Sequence, residues 1–211
     1  MYLSDIFEQL SYGELSQLYI GGVTEGGIQE TNYPPLLAHV NLALTELHKR
    51  FKLKESTITQ AITPGQKTYT ITEPLLLQII NVRTESGEFF TFNNEYSDLY
   101  VTRPDFNTII IPETNANTDS SFSILAQLNH PKIEVDLLDP ETEEVDIPQV
   151  LLDPLLNFIA ARTYLAMDSE QSPKYQEYLA RYEAACKRVE RMNVLDQYSG
   201  LSTKLEDNGW V

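Results

Sequence analysis

The chain is poor in cysteine, in histidine and in positive charge. It has one cysteine, three histidines, and 15 Lys and Arg against 31 Asp and Glu, for a formal net charge of -16 over 211 residues. The single cysteine, Cys186, excludes an intrachain disulfide framework and a cysteine-rich zinc site. It falls on the apolar stripe of a predicted helix and reads as a buried, inert thiol. His39 and His48 lie nine residues apart. At ~100° per residue they point to nearly opposite helix faces and share no metal. His130 is far away in sequence, so all three histidines are expected as surface or packing residues. The shortage of Lys and Arg argues against a grip on nucleic acid, because phosphate neutralisation supplies most non-specific affinity. Acidity suits solubility, or a surface that DNA passes without sticking.

Long apolar runs are missing too. None approaches the ~20 residues needed to span a bilayer. Residues 1–8 lack the basic start and long apolar stretch of a signal peptide. The expectation is a soluble protein with no membrane partner, used in the cytoplasm or in a particle assembled there.

Catalytic motifs are absent as well. There is no G-x-S-x-G, no H-E-x-x-H, no G-x-G-x-x-G after a strand and no Cys/His cluster. Gly21, Gly22, Gly26 and Gly27 make a loop or flexible arm. No Lys-Ser/Thr follows them, and no strand precedes them, as a phosphate-binding P-loop requires. Residues 130–147 carry seven carboxylates. They contain no glycine and no regular calcium-ligand spacing, and read as a solvated linker. No metal, no cofactor and no enzymatic activity are expected.

What is present is a change of period. Leu3, Ile6, Phe7 and Leu10 recur at helical spacing over residues 3–20, with Ser4 as N-cap and Gly13 as an interruption. Pro34 and Pro35 open a second helix, about 34–53, with the stripe Leu37, Val40, Leu44, Leu47 and Phe51. From residue 56 the period becomes two: Ile58 and Ile62 alternate with polar residues, Pro64 and Gly65 turn the chain, and Tyr69 and Ile71 follow. Residues 75–82, 88–92, 107–111 and 122–128 read as further strands, and 93–106 as loop. Residues 56–130 are thus a compact antiparallel module of about five strands. A third helix, 148–167, has Leu151, Leu152, Leu155, Leu156, Phe158 and Ile159 on almost every side. A helix apolar all round is buried on several sides. Of these, Leu151, Leu152, Leu155, Phe158 and Ile159 are read as shared between the core and a neighbouring subunit. The fourth helix, 173–192, carries the stripe Tyr175, Tyr178, Leu179, Tyr182, Cys186 and Val189. The fold class is α+β, mainly helical: about four helices in a bundle, with an antiparallel β insert between the second and third. The remainder, residues 199–211, is a polar extended tail whose isolated apolar residues Leu201, Leu205, Trp210 and Val211 suit docking on a partner.

Several of these residues carry a resemblance. Pro64 and Gly65 with Tyr69, residues 128–131, Ile147 and Pro148, Ala160, Ala161 and Arg162, and the paired helices to Val189 resemble the head-to-tail adaptors of tailed bacteriophages. The nearest likeness is to the neck or tail-tubular adaptors of short-tailed phages, over about residues 33–195. The resemblance implies a virion structural protein with residues 1–198 as one adaptor domain. It implies a ring of 12 copies, assembled in the host cytoplasm, that joins the portal protein to the tail nozzle or tail-tube protein. The ring would continue the channel through which DNA passes without specific binding. The tail residues Leu201, Leu205, Trp210 and Val211, read from their isolated apolar character, are then expected to dock on the portal or on a neighbouring copy. The alternative from the residues alone is a soluble glycan-binding module using Tyr96, Tyr100 and Phe106 of the β insert.

Overall fold

The computed structural model describes residues 1–18, 28, 30–112, 120–134, 139–167 and 173–195. Among these described residues, four α-helices and two sheets make it an α+β protein. The helices are α1 (Leu3–Tyr12), α2 (Tyr33–Phe51), α3 (Leu152–Met167) and α4 (Pro173–Met192). Seven strands lie between α2 and α3: β1 (Glu55–Ala61), β2 (Thr68–Thr70), β3 (Leu76–Thr84), β4 (Thr91–Phe92), β5 (Tyr100–Asp105), β6 (Thr108–Ile110) and β7 (Ser121–Leu128). The chain divides into two compact units, Met1–Leu47 with Lys132–Val211, and His48–Pro131.

The helical unit is built from stripes. Leu3, Ile6, Phe7 and Leu10 of α1 are all buried. So are Leu36, Leu37, Val40, Ala43, Leu44 and Leu47 of α2. Each set recurs at three- and four-residue steps, which put it on one face of its helix. α3 packs along α4, and Phe158 meets Tyr182 edge to face at 5.1 Å between ring centroids. α4 buries Tyr182, Ala185, Cys186 and Val189. The Cys186 thiol is buried, as its place on the stripe predicts.

Three sequence expectations change here. The first helix stops at Tyr12 instead of running to residue 20, and a short 3-10 turn follows at Ser16–Leu18. Gly13 is the reason: its N–H bonds the Gln9 carbonyl at 2.8 Å, and a Cβ there would lie 2.8 Å from that same oxygen. The N-cap is Tyr2 instead of Ser4, and the Asp5 carboxylate accepts the Tyr2 N–H at 2.9 Å. The third helix begins with a 3-10 turn, Gln149–Leu151, before α3 proper.

The β unit holds a three-stranded antiparallel sheet, ordered β1-β7-β3, and a four-stranded sheet, ordered β2-β6-β5-β4. Their inner faces share one core of Tyr69, Ile71, Ile79, Val82, Phe90, Val101, Ile109, Ile111, Phe122 and Ile124. Tyr69 meets Phe122 edge to face at 5.1 Å. Pro64 and Gly65 do turn the chain: Gln66 N–H bonds Thr63 O at 3.0 Å, and Gly65 has φ +80°. That is the left-handed position a type II turn reserves for glycine.

The expected module of about five antiparallel strands is therefore, among the described residues, seven strands in two sheets, and one pair is parallel. β4 runs parallel to β5, Thr91 opposite Tyr100 and Phe92 opposite Val101. The expected strand at 88–92 shortens to two residues, and the expected loop at 93–106 contains β5. β5 hides from an alternation test because Val101 is its only buried residue. Pro104 also falls within it, at the register break between Thr102 and Asp105 where it pairs with β6. Proline is tolerated at such irregularities because no ladder N–H is needed there.

Candidate interaction surfaces

The residues expected to meet a neighbouring subunit lie on α3 and the 3-10 turn before it. Leu151, Leu155 and Ile159 are fully buried within their own chain, and Leu152 is buried too. Phe158 is the exception: it is half-buried and keeps surface to offer. The expected docking residues Leu201, Leu205, Trp210 and Val211 lie outside the described residues, as does the glycine-rich arm at 21–27.

The acidic segment is not a solvated linker where it is described. Its backbone holds the start of α1. Leu3 N–H bonds Glu143 O at 2.9 Å, Ser4 N–H bonds Pro140 O at 2.8 Å, and Val145 N–H bonds Met1 O at 2.8 Å. The first N–H groups of a helix have no partner inside it, and two main-chain carbonyls supply what a Ser or Asp cap would. Val145 and Ile147 are buried behind this contact. The carboxylates remain outside: Glu141, Glu143, Asp146 and their neighbours form no metal-holding group among the described residues. Acidic composition marked the surface correctly, but it said nothing of the backbone underneath.

Two further anchors draw distant segments into the helical unit. Asn41, in the middle of α2, donates from Nδ2 to Ile133 O and accepts from Ile133 N–H, both at 2.9 Å. One side-chain amide thus mimics a strand partner for a residue 92 positions away. Asparagine is a poor helix-interior residue without such a use, but a solvent-facing asparagine would read the same in the sequence. The Glu14 carbonyl accepts the hydroxyls of Tyr164 at 3.3 Å and Tyr178 at 3.1 Å. Those rings stack at 5.3 Å, with Lys174 over one and Arg181 over the other. Burial first, then the neighbouring Tyr164, pushes the Tyr178 hydroxyl above its ordinary pKa, so it remains a donor.

Arg162, part of the A-A-R signature quoted above, stands near enough to His39 for its charge to act on the imidazole. Burial first, then Arg162, holds His39 below the usual histidine pKa. The buried His39 Nδ1 and Arg162 Nε have no hydrogen-bond partner among the described residues. His48 is buried, and its ring meets that of His130 at 5.6 Å, a pairing that sequence distance concealed.

In the β unit, Tyr96 and Phe106 are exposed and Tyr100 is half-buried. Tyr96 precedes β5 and Phe106 follows it. At ~3.3 Å per residue the six-residue strand separates its two ends by about 16 Å. Phe89 is exposed and carries the Arg83 guanidinium 4.4 Å above its ring.

These features are those of a part that holds its own segments together and leaves polar, acidic faces outward. Sequence comparison gives the class as phage adaptor protein, a structural component of the virion. The chain belongs to the SU10 adaptor protein family, whose sequence model matches residues 12–203. No curated protein matches the chain. No helix among the described residues is long and apolar enough to cross a membrane.

Proposed function

We propose that this adaptor forms a ring between the portal and the tail of a short-tailed phage and continues the DNA channel. Family membership across residues 12–203 carries the reading. Residues 1–198 act as one adaptor domain, a helical bundle with residues 56–130 inserted. The chain has no catalytic duty in this reading. Phe158, with Leu151, Leu152, Leu155 and Ile159 behind it, faces the next subunit. Leu201, Leu205, Trp210 and Val211 dock on the portal or on a neighbouring copy, and the far side of the ring receives the tail nozzle or tube. Twelve copies suit a portal partner of that symmetry. A charge of -16 disfavours close packing of like subunits without a template, so the ring forms on the portal. The same charge lets DNA slide through, because too few cations are available to release counterions from it.

Light scattering of the protein alone and with portal tests this. A monomer or weak oligomer alone and a ring-sized complex with portal are expected. A stable dimer that portal does not alter would overturn the reading. Truncation after Tyr198 should leave the melting temperature nearly unchanged while weakening portal attachment.

A further inference from the structure

The two sheets of the β unit have four edges, and three are closed or short. β2 and β4 are three and two residues long. β3 is bulged twice in its pairing with β7, and its other side is occupied. Phe90 N–H bonds Val82 O at 2.9 Å, Thr84 N–H bonds Glu88 O at 2.8 Å, and Arg103 donates to Ile79 O at 3.1 Å. β1 has none of these protections. It is seven residues long, pairs with β7 without a bulge, contains no proline, and bears one charge, Glu55, at its first position. Natural sheets blunt such edges with charge, proline or bulges because an open edge accepts another strand.

Register shows which groups are open. Leu128 N–H bonds Lys54 O at 2.8 Å and Ile62 N–H bonds Ser120 O at 2.9 Å. Hydrogen-bonded positions alternate along an antiparallel pair, so Ser56, Ile58 and Gln60 bond β7. Glu55, Thr57, Thr59 and Ala61 turn their N–H and C=O away from it. Their side chains are also exposed. No other described residue hydrogen-bonds the backbone of Thr57 or Thr59.

We infer that this edge pairs with the same edge of a second copy, antiparallel, about a two-fold axis through Ile58. Beyond the ring reading and independent of it, this contact joins two free copies; neighbours in a ring are related by rotation about the ring axis instead of by this two-fold. The sequence is self-complementary in that register. Thr57 lies opposite Thr59 of the second copy, a favourable cross-strand pair. Glu55 lies opposite Ala61, and Lys54 opposite Ile62, so no like charges face each other. In a chain of charge -16 this is a stretch where a second copy approaches without repulsion. The outward groups of four residues per strand make about eight main-chain hydrogen bonds across the axis once the Ala61 C=O gives up the long 3.4 Å bond it accepts from Gln60 Nε2. With mostly polar side chains around them, the pairing is weak and reversible.

Sedimentation across a concentration series, with amide exchange read at Thr57 and Thr59, tests the pairing. The wild-type chain should show a concentration-dependent monomer–dimer equilibrium, with those two amides slowing as dimer forms. Thr59→Pro removes an outward N–H and none of the bonds to β7. It should keep the circular dichroism of the wild type and weaken dimerisation on the order of tenfold or more. A second pair of variants guards against a folding artefact. Thr57→Lys/Thr59→Lys and Thr57→Glu/Thr59→Glu should each be monomeric alone and associate when mixed. A wild-type chain monomeric at every concentration overturns the inference, as does a dimer indifferent to both sets of variants. Protection of the two amides only on adding portal or tail protein would assign the edge to another partner, and also overturns it.

Discussion

The helical unit and the β unit solve the same problem differently. The β unit is one uninterrupted stretch, His48–Pro131, and its core joins residues from both sheets. The helical unit is made from two stretches, and side chains and loops tie them together: Asn41 to Ile133, Tyr164 and Tyr178 to Glu14, residues 140–145 to the start of α1. One unit depends on apolar burial among local strands. The other adds a few polar contacts of very long sequence separation. Substitutions of the two kinds should therefore differ in both size and reach.

The largest effect is expected from Phe122→Ala, since Phe122 is almost fully buried between the sheets. Emptying such a site costs ~3–5 kcal/mol. Denaturant titration followed by amide exchange should show β3 and β7 losing protection before α1. If α1 opens at the same denaturant concentration, the two units unfold as one and the contrast fails.

Asn41→Ala should come next. It removes two hydrogen bonds and leaves the Ile133 N–H and C=O unpaired, at a cost of ~1–3 kcal/mol. Exchange of the Ile133 amide should speed up while the β core stays protected. An unchanged Ile133 amide would show that water replaces the clamp.

Gly65→Ala touches only a turn. No atom crowds the missing Cβ, but φ +80° is strained for alanine. A loss of ~1 kcal/mol is expected by thermal melting. The effect should stay within the β unit.

The smallest effect concerns pH. The folded-state pKa of His39 is lowered, by burial first and by Arg162 second. The unfolded chain therefore takes up a proton near pH 6.5 while the folded one does not. The contribution is fully present above that pH and is lost as pH falls towards the depressed folded value. His39→Gln should flatten the stability profile below pH 6.5. A profile identical to the wild type would remove His39 from the account.

The same contrast explains what could be read in advance. Amphipathic stripes marked α1, α2 and α4 because a helix repeats its buried face every three or four residues, and α4 matches its expected limits of 173–192. β1 and β7 were legible from strict alternation. β5 was not, with one buried residue and a proline, and neither was the parallel pair, since a short two-residue ladder leaves no pattern. The anchors were hidden for another reason. A main-chain carbonyl such as that of Glu14 carries no sequence signature, and Asn41 differs from a surface asparagine only by what lies opposite it. Of the expected site residues, Leu151, Leu152, Leu155 and Ile159 were recognisable as buried, but the pattern could not tell burial in the same chain from burial against another.

The split ancestry of the helical unit has a consequence during synthesis. α1 and α2 leave the ribosome first, yet their partners α3 and α4, the residue that Asn41 grips and the loop that caps α1 all come after the β unit. At ~5–20 residues per second, making residues 48–131 takes roughly 4–17 s. For that interval the apolar stripes of α1 and α2 have only each other for cover, with Phe7 against Tyr33 at 5.2 Å, while the β unit, whose core is its own, has time to close. The nascent chain thus passes through a stage with a finished middle and an unfinished beginning, and in that window a chaperone or another nascent copy has its best chance to intervene.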